Sequence, residues 1–212
     1  VYKRQSQYNG IDKKLQVKPE VSSWRYITIG NAYTVCLNYN SALNSHMMKN
    51  DEWGAVAYLS KSKYGKNAEV DINSDSSYYT GGGSGNAYVT NVGQSTTGTV
   101  HGVYDMSGGA WEYVAAYVNN GNSNLTNYGS SLVNGDAKTK NVYNKASSDN
   151  NTNNYNANSG KYGDAVYETS ANGNSSSSSW YGDYSIFPDT SYPFFERGGY
   201  YNNGTNCLLY TS

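Results

Sequence analysis

Residues 102–113 read GVYDMSGGAWEY. Two apolar segments, VHGVYDM at 100–106 and AWEYVAAYV at 110–118, flank Ser107, Gly108 and Gly109. Alternation in the first segment puts Val103 on one face and Tyr104 on the other. The pattern predicts strand, tight glycine turn, strand. Gly108 and Gly109 permit a turn that other residues resist. Trp111 offers a large apolar anchor in a chain with few aliphatics. Glu112 beside it needs a cation or backbone donors if it is buried.

Upstream, SSWRYIT at 22–28 reads as an extended segment. Asn31 is a candidate N-cap, because its side chain can accept a free first-turn N–H. Ala32, Val35, Cys36, Tyr39 and Leu43 then fall at helical spacing. Cys36 on that stripe reads as a small core residue rather than a reactive thiol. A second helix is predicted from Asn50. Asp51 and Glu52 in its first turn complement the helix dipole. Trp53, Val56, Ala57 and Ser60 share a face, and Gly65 is the expected stop. Residues 81–85, GGGSG, lack the Gly-Lys-Ser/Thr ending of a phosphate loop and have no helix pattern behind them, so they read as a flexible surface loop. His46 and His101 are the only histidines. Without clustered Cys or acids they make no zinc site, and each reads as structural or exposed.

Downstream, residues 119–160 are polar, Asn-rich and nearly aperiodic, which predicts an insertion ordered in part at best. YGDAVYETS at 162–170 reads as a short helix and 173–179 as a serine-rich loop. The aromatic stretch 180–195 holds Pro188 and Pro193 and reads as an extended loop; 195–201 reads as a strand. The expected class is α+β: two helices, short antiparallel strands and long irregular loops.

The length, 212 residues, suits one domain. Hydrophobic residues make up 37% and charged residues only 15%, so the polarity comes from Asn, Ser, Gly and Tyr. Disordered chains lack aromatics; this one has 24 Tyr and 4 Trp, enough to bury surface. A net charge of −1 argues against nucleic acid, whose capture needs clustered cations. The pairs Lys61/Lys63 and Lys138/Lys140 read as solvated surface. No run approaches the roughly 20 apolar residues of a membrane helix. Two cysteines, Cys36 and Cys207, allow one disulfide but no framework. The ends, VYKRQ at 1–5 and CLLYTS at 207–212, resemble translated sequencing-adapter sequence. On that reading one domain spans 6–206 and is cut at both ends.

Three segments in order carry a family resemblance: DEWGAVAY at 51–58, GVYDMSGGAWEY at 102–113, and Arg197-Gly198-Gly199. They resemble the Glu-Trp helix, the Gly-x-x-Asp-Met-x-Gly-Asn-x-Trp-Glu-Trp signature and the Arg-Gly-Gly of the formylglycine-generating (sulfatase-modifying factor) family. The likeness covers about 22–206 and implies a C-type-lectin-like fold. Similar domains occur in the variable proteins of diversity-generating retroelements and on pilin-type surface proteins, which implies a bacterial extracellular or cell-surface location.

The family's oxidases hold copper with a cysteine pair after the Arg-Gly-Gly, since soft thiolates suit Cu(I). The matching positions are Asn203 and about Leu208, with Cys207 beside it. The resemblance therefore implies no copper and no formylglycine-generating activity. The family's calcium site maps onto backbone carbonyls of Gly108 and Ala110 and the carboxylate of Glu112. Ser107 stands where an amide is expected, and Gly109 where Asn is usual. Calcium takes about 6–8 oxygens, so two readings stay open: a calcium ion there, or Glu112 satisfied by hydrogen bonds alone.

Tyr, Ser, Gly and Asn are the residues adaptable binding surfaces favour. Tyr78, Tyr79, Trp180, Tyr181, Tyr184, Tyr200 and Tyr201 fall in or beside loops and are the candidate ligand contacts. The expected function is a non-catalytic extracellular recognition or adhesion domain for a carbohydrate or protein. The alternative is an enzyme of the formylglycine-generating family or a related one.

Overall fold

The computed structural model describes residues 15–19, 21–161, 174–175 and 185–202. Its class is α+β. Strand β1 (Glu112–Asn119) is the centre of a three-stranded sheet. It pairs antiparallel with β5 (Phe194–Arg197) and parallel with β2 (Asn141–Asn144). Five consecutive β1 residues, from Val114 to Val118, are buried, as in strands covered on both faces. The pleat sorts them. Val114, Ala116 and Val118 enter one core with Trp53, Tyr143 and Phe195. Ala115 and Tyr117 enter the other with Ile29, Tyr33 and Leu132. A bulge between Tyr113 and Tyr117 interrupts the pairing with β5, and the Ala115 N–H donates instead to Met48 O at 2.8 Å.

Helix α1 (Ile29–Leu37) supplies the second core. Thr28, not Asn31, caps it: the Thr28 hydroxyl oxygen accepts from Asn31 N. Ile29, Tyr33 and Cys36 share the buried face. The expected stripe is too long. The helix ends at Asn38, and Asn40 caps a short 3-10 turn, so Tyr39 and Leu43 are exposed. Helix α2 (Asn50–Lys61) runs as expected. Glu52 Oε2 accepts from Lys49 N at its start, while Trp53, Ala57 and Ser60 are buried. It stops at Ser62, ahead of Gly65. A Cβ at Gly65 would lie 2.2 Å from Leu59 O, so the glycine lets the chain fold back on the helix.

The stretch 100–106 is not a strand. Val103 reaches the first core, but Asp105 has φ +65°, which breaks an extended run, and Tyr104 is fixed by its hydroxyl donating to Tyr88 O at 2.8 Å. The glycine-rich segment is partly packed: Gly81 is buried, and a one-turn helix α3 (Ala87–Thr90) follows it. The strands are not all antiparallel, because residues 120–140 cross over between β1 and β2. That connection holds α4 (Ser123–Asn127) and α5 (Ser130–Asn134), and α5 packs on α1.

Residues 119–160 are ordered, contrary to expectation. They carry a sheet strand, and Leu132, Tyr143 and Tyr155 in them are buried. Their asparagines create the order. In α6 (Asn151–Asn158), Asn158 pairs with the Asn144 backbone in both directions, at 2.8 and 2.9 Å. Five amides then hold five successive carbonyls. Asn151 donates to Phe187 O, Asn154 to Pro188 O, Asn120 to Asp189 O, Asn122 to Thr190 O and Asn124 to Ser191 O, at 2.5–3.0 Å. The two-residue strands β3 (Asn174–Ser175) and β4 (Ser185–Ile186) pair within the stretch read as loops. The helix expected at 162–170 lies outside the described residues.

β5 begins one residue earlier than expected and stops at Arg197, because Gly198 and Gly199 have φ of +81° and +65°. Arg197 is fully buried. Its Nε and Nη2 donate to Asn50 Oδ1, and Asn50 Nδ2 donates to the Tyr143 hydroxyl at 2.8 Å. The guanidinium lies 5.1 Å from the Trp53 ring centroid. One arginine thus ties the start of α2 to β2 and β5.

Candidate ligand-recognition face

The turn at 107–109 gathers distant segments. Gly108 and Gly109 have φ of +78° and +74°, so the predicted glycine turn is present. A Cβ at Gly108 would lie 2.4 Å from Asn73 O. Asn73 N donates to Ser107 O, and Gly109 N to Asn73 O. Gly108 N donates to Gly198 O at 2.7 Å, and Tyr201 N to Gly109 O at 2.9 Å. The loop after Asn73 joins the first extended segment, where Ser23 N donates to Tyr78 O at 2.8 Å. Loops starting at positions 22, 73, 107 and 198 therefore share one edge.

This edge carries a run of aromatic rings. Tyr78 meets Tyr201 edge to face at 5.4 Å. Tyr201 meets Tyr200 at 5.3 Å, and Tyr200 meets Trp111 at 4.9 Å. At the other end the Arg25 guanidinium lies 4.1 Å from the Tyr78 centroid and 5.6 Å from Tyr26. Tyr26 is 74% exposed and Trp111 46%. Tyr26 and Tyr78 also have φ of +59° and +61°, a left-handed backbone that aromatic residues avoid. Such strain gathers where a surface is fixed for use.

Of the expected contacts, the fold brings together Tyr78, Tyr200 and Tyr201. Tyr79 sits beside them; its backbone accepts from Asn73 Nδ2 and donates to Asp75, which ties it into the loop. Trp180, Tyr181 and Tyr184 lie outside the described residues, as do Asn203, Cys207 and Leu208. Arg25, Tyr26 and Trp111 were not expected here. Trp111 does not anchor the core: it stands before β1 and is exposed, and among the described residues Trp53 is the tryptophan that is fully buried. The φ of Tyr26 leaves no mark in the sequence.

The calcium candidates are adjacent. Gly108 is in the buried turn, while Ala110 and Glu112 border an apolar cleft of about 170 Å³ that also touches Trp24, Trp111 and Cys36. Glu112 lies opposite Arg197 in the strand register, and a Cβ on Gly198 would sit 3.7 Å from Glu112 Oε2. No group of three or more His, Cys, Asp or Glu suited to a metal occurs among the described residues. Burial pushes the Cys36 thiol up to about 12, in line with a core residue. His46 bonds Asn44 O through Nδ1 and Glu52 through Nε2, and His101 is exposed.

A second concavity, of about 350 Å³, opens past Tyr26. Tyr128 and Tyr192 on its rim are 53% and 63% exposed. Tyr113 lies within it, hydrogen-bonded to Glu196; burial and that carboxylate push its phenol well above the ordinary range.

No family model, curated protein or solved structure matches the chain. No helix among the described residues is long and apolar enough to cross a membrane.

Proposed function

We propose that this chain is a non-catalytic extracellular recognition domain with a C-type-lectin-like fold of the sulfatase-modifying-factor type. The observation that carries the reading is the unbroken aromatic run from Tyr26 through Arg25, Tyr78, Tyr201 and Tyr200 to Trp111. Tyr and Trp supply rigid amphipathic area at low entropic cost, and they dominate binding hot spots. The fold component is supported by the meeting of two separated motif pieces, where Gly108 N donates to Gly198 O. The ligand is a carbohydrate or protein at the bacterial surface.

A glycan array and a panel of purified extracellular proteins test the reading. Saturable binding by the intact chain is expected, and a Tyr78→Ala/Tyr201→Ala pair should lose at least about tenfold in affinity, or 1.4 kcal/mol. Silence on both panels would sink it. The calcium component, at Gly108, Ala110 and Glu112, is checked by thermal unfolding with calcium or chelator. A ligand bound to the native state alone raises the midpoint; an unchanged midpoint removes calcium from the reading.

A further inference from the structure

The cleft of about 170 Å³ opens where the two cores meet at the start of β1. Its wall takes Trp53, Met106 and Val114 from the first core and Cys36 and Met47 from the second. All three methionines of the chain, Met47, Met48 and Met106, line it, and so do three of the four tryptophans, Trp24, Trp53 and Trp111. Ala32, Val35 and Cys36 follow at helical spacing, so one face of α1 closes a side. The walls are held by contacts of their own. Met48 O accepts from Ala115 N at 2.8 Å, the Arg197 guanidinium lies 5.1 Å from the Trp53 ring centroid, and the Tyr200 ring lies 4.9 Å from Trp111. Trp111 is 46% exposed, so the cleft reaches the surface there.

We infer that this cleft binds a small, neutral molecule with a single aromatic ring. Size restricts the ligand first. An apolar cavity of about 150 Å³ takes benzene, whereas drug-sized ligands need about 300–1,000 Å³. Charge restricts it next, because a wall of indole, thioether and aliphatic groups does not repay the desolvation of an ion. The sulfur and the indoles then select the ring. Both gain from an aromatic partner beyond what apolar area alone supplies. Methionine also bends through three rotatable bonds to fit what it meets. Protein interiors leave few voids larger than a water, and the walls of a void forgo dispersion contacts that a ring restores. Because the walls are held before any ligand arrives, little ordering entropy remains to be lost. The inference goes beyond the aromatic face proposed above and does not depend on it, although Trp111 borders both.

Phenol and cyclohexanol are the probes, alike in size and hydroxyl and different in the ring. The intact chain, isotope-labelled at its methionine methyl groups, gives three NMR signals, one from each methionine of the wall. Phenol should shift all three in a saturable way, with half-saturation below about 10 mM. It should bind at least about threefold more tightly than cyclohexanol, the margin that sulfur–aromatic contacts supply. Ala32→Leu adds volume to the α1 wall and should weaken phenol about tenfold. The Tyr78→Ala/Tyr201→Ala pair should leave phenol affinity unchanged, which separates this cleft from the aromatic face. The inference is overturned if the methionine signals do not saturate or if cyclohexanol binds as tightly as phenol. It is also overturned if Ala32→Leu binds phenol as tightly as wild type, or if the tyrosine pair abolishes phenol binding. Where a variant fails to fold, the titration of the unaltered chain decides alone.

Discussion

Single residues here depend on the partners that the fold sets beside them. His46 is one example. Nδ1 faces Asn44 O and Nε2 faces Glu52, both at 3.0 Å, and both are acceptors. Only the imidazolium can donate to both at once. The backbone carbonyl of Asn44 and then Glu52 therefore raise its pKa above the ordinary value, against partial desolvation and Lys49. A raised folded pKa adds stability that is complete below the unfolded value of about 6.5 and disappears as pH climbs through the folded value. The stability difference between wild type and His46→Phe should thus be larger at about pH 5.5 than at about pH 9 in urea unfolding. Equal differences at both would show that the pairing is not formed. Tyr26 is a second example: strained in backbone, yet 74% exposed. Tyr26→Gly relieves a left-handed conformation costing about 1 kcal/mol and should not lower the melting temperature. A drop of several degrees would mean that the ring contributes packing that its exposure does not suggest.

Among the elements, α6 and the crossover show how a polar stretch becomes ordered. Asn154 is fully buried; its Oδ1 accepts from Ala146 N, and its Nδ2 donates to Pro188 O and Asp149. No periodicity announces this, because an amide's partner is chosen by geometry across 34 residues. Asn154→Ala would strand buried donors and acceptors at about 1–3 kcal/mol each. The expected result is a loss of at least about 2 kcal/mol in denaturant unfolding, with faster hydrogen exchange at the Ala146 amide. Wild-type exchange there would show that the amide does not hold the loop. The elements that were legible, α2, β1 and β5, carry their reason locally: acidic first turn, apolar run, glycine stop. The misread ones, 100–106 and α1's far end, fail where Asp105 and Asn38–Asn40 turn the chain.

Among the described residues a three-stranded sheet lies between two cores, with β1 feeding both. Residues 120–161 contribute β2, Leu132, Tyr143 and Tyr155 to that arrangement. Replacing them with a short Gly/Ser linker should abolish cooperative unfolding, since losing each large buried side chain costs about 2–5 kcal/mol against a total of about 5–15. Circular dichroism and a thermal scan decide it. A variant that still melts cooperatively would restore the insertion reading. On the same scale, the aromatic face is half legible. Tyr78, Tyr200 and Tyr201 follow from composition and loop position, whereas Arg25, Tyr26 and Trp111 join them only because the turn at 107–109 draws four segments to one edge.

The sequence by itself determined the α+β class, the glycine turn, the start of α2 and the strand that became the sheet's centre. Each depends on neighbours within a few residues, where periodicity and glycine torsions act. The tertiary structure alone decided which aromatic rings are core and which are surface. A tyrosine has the same local preference in either place, and Trp53 and Trp111 differ only in what packs over them. It also decided that the asparagine-rich stretch 119–160 is ordered, because a carboxamide stabilises whatever backbone the fold brings within about 3 Å.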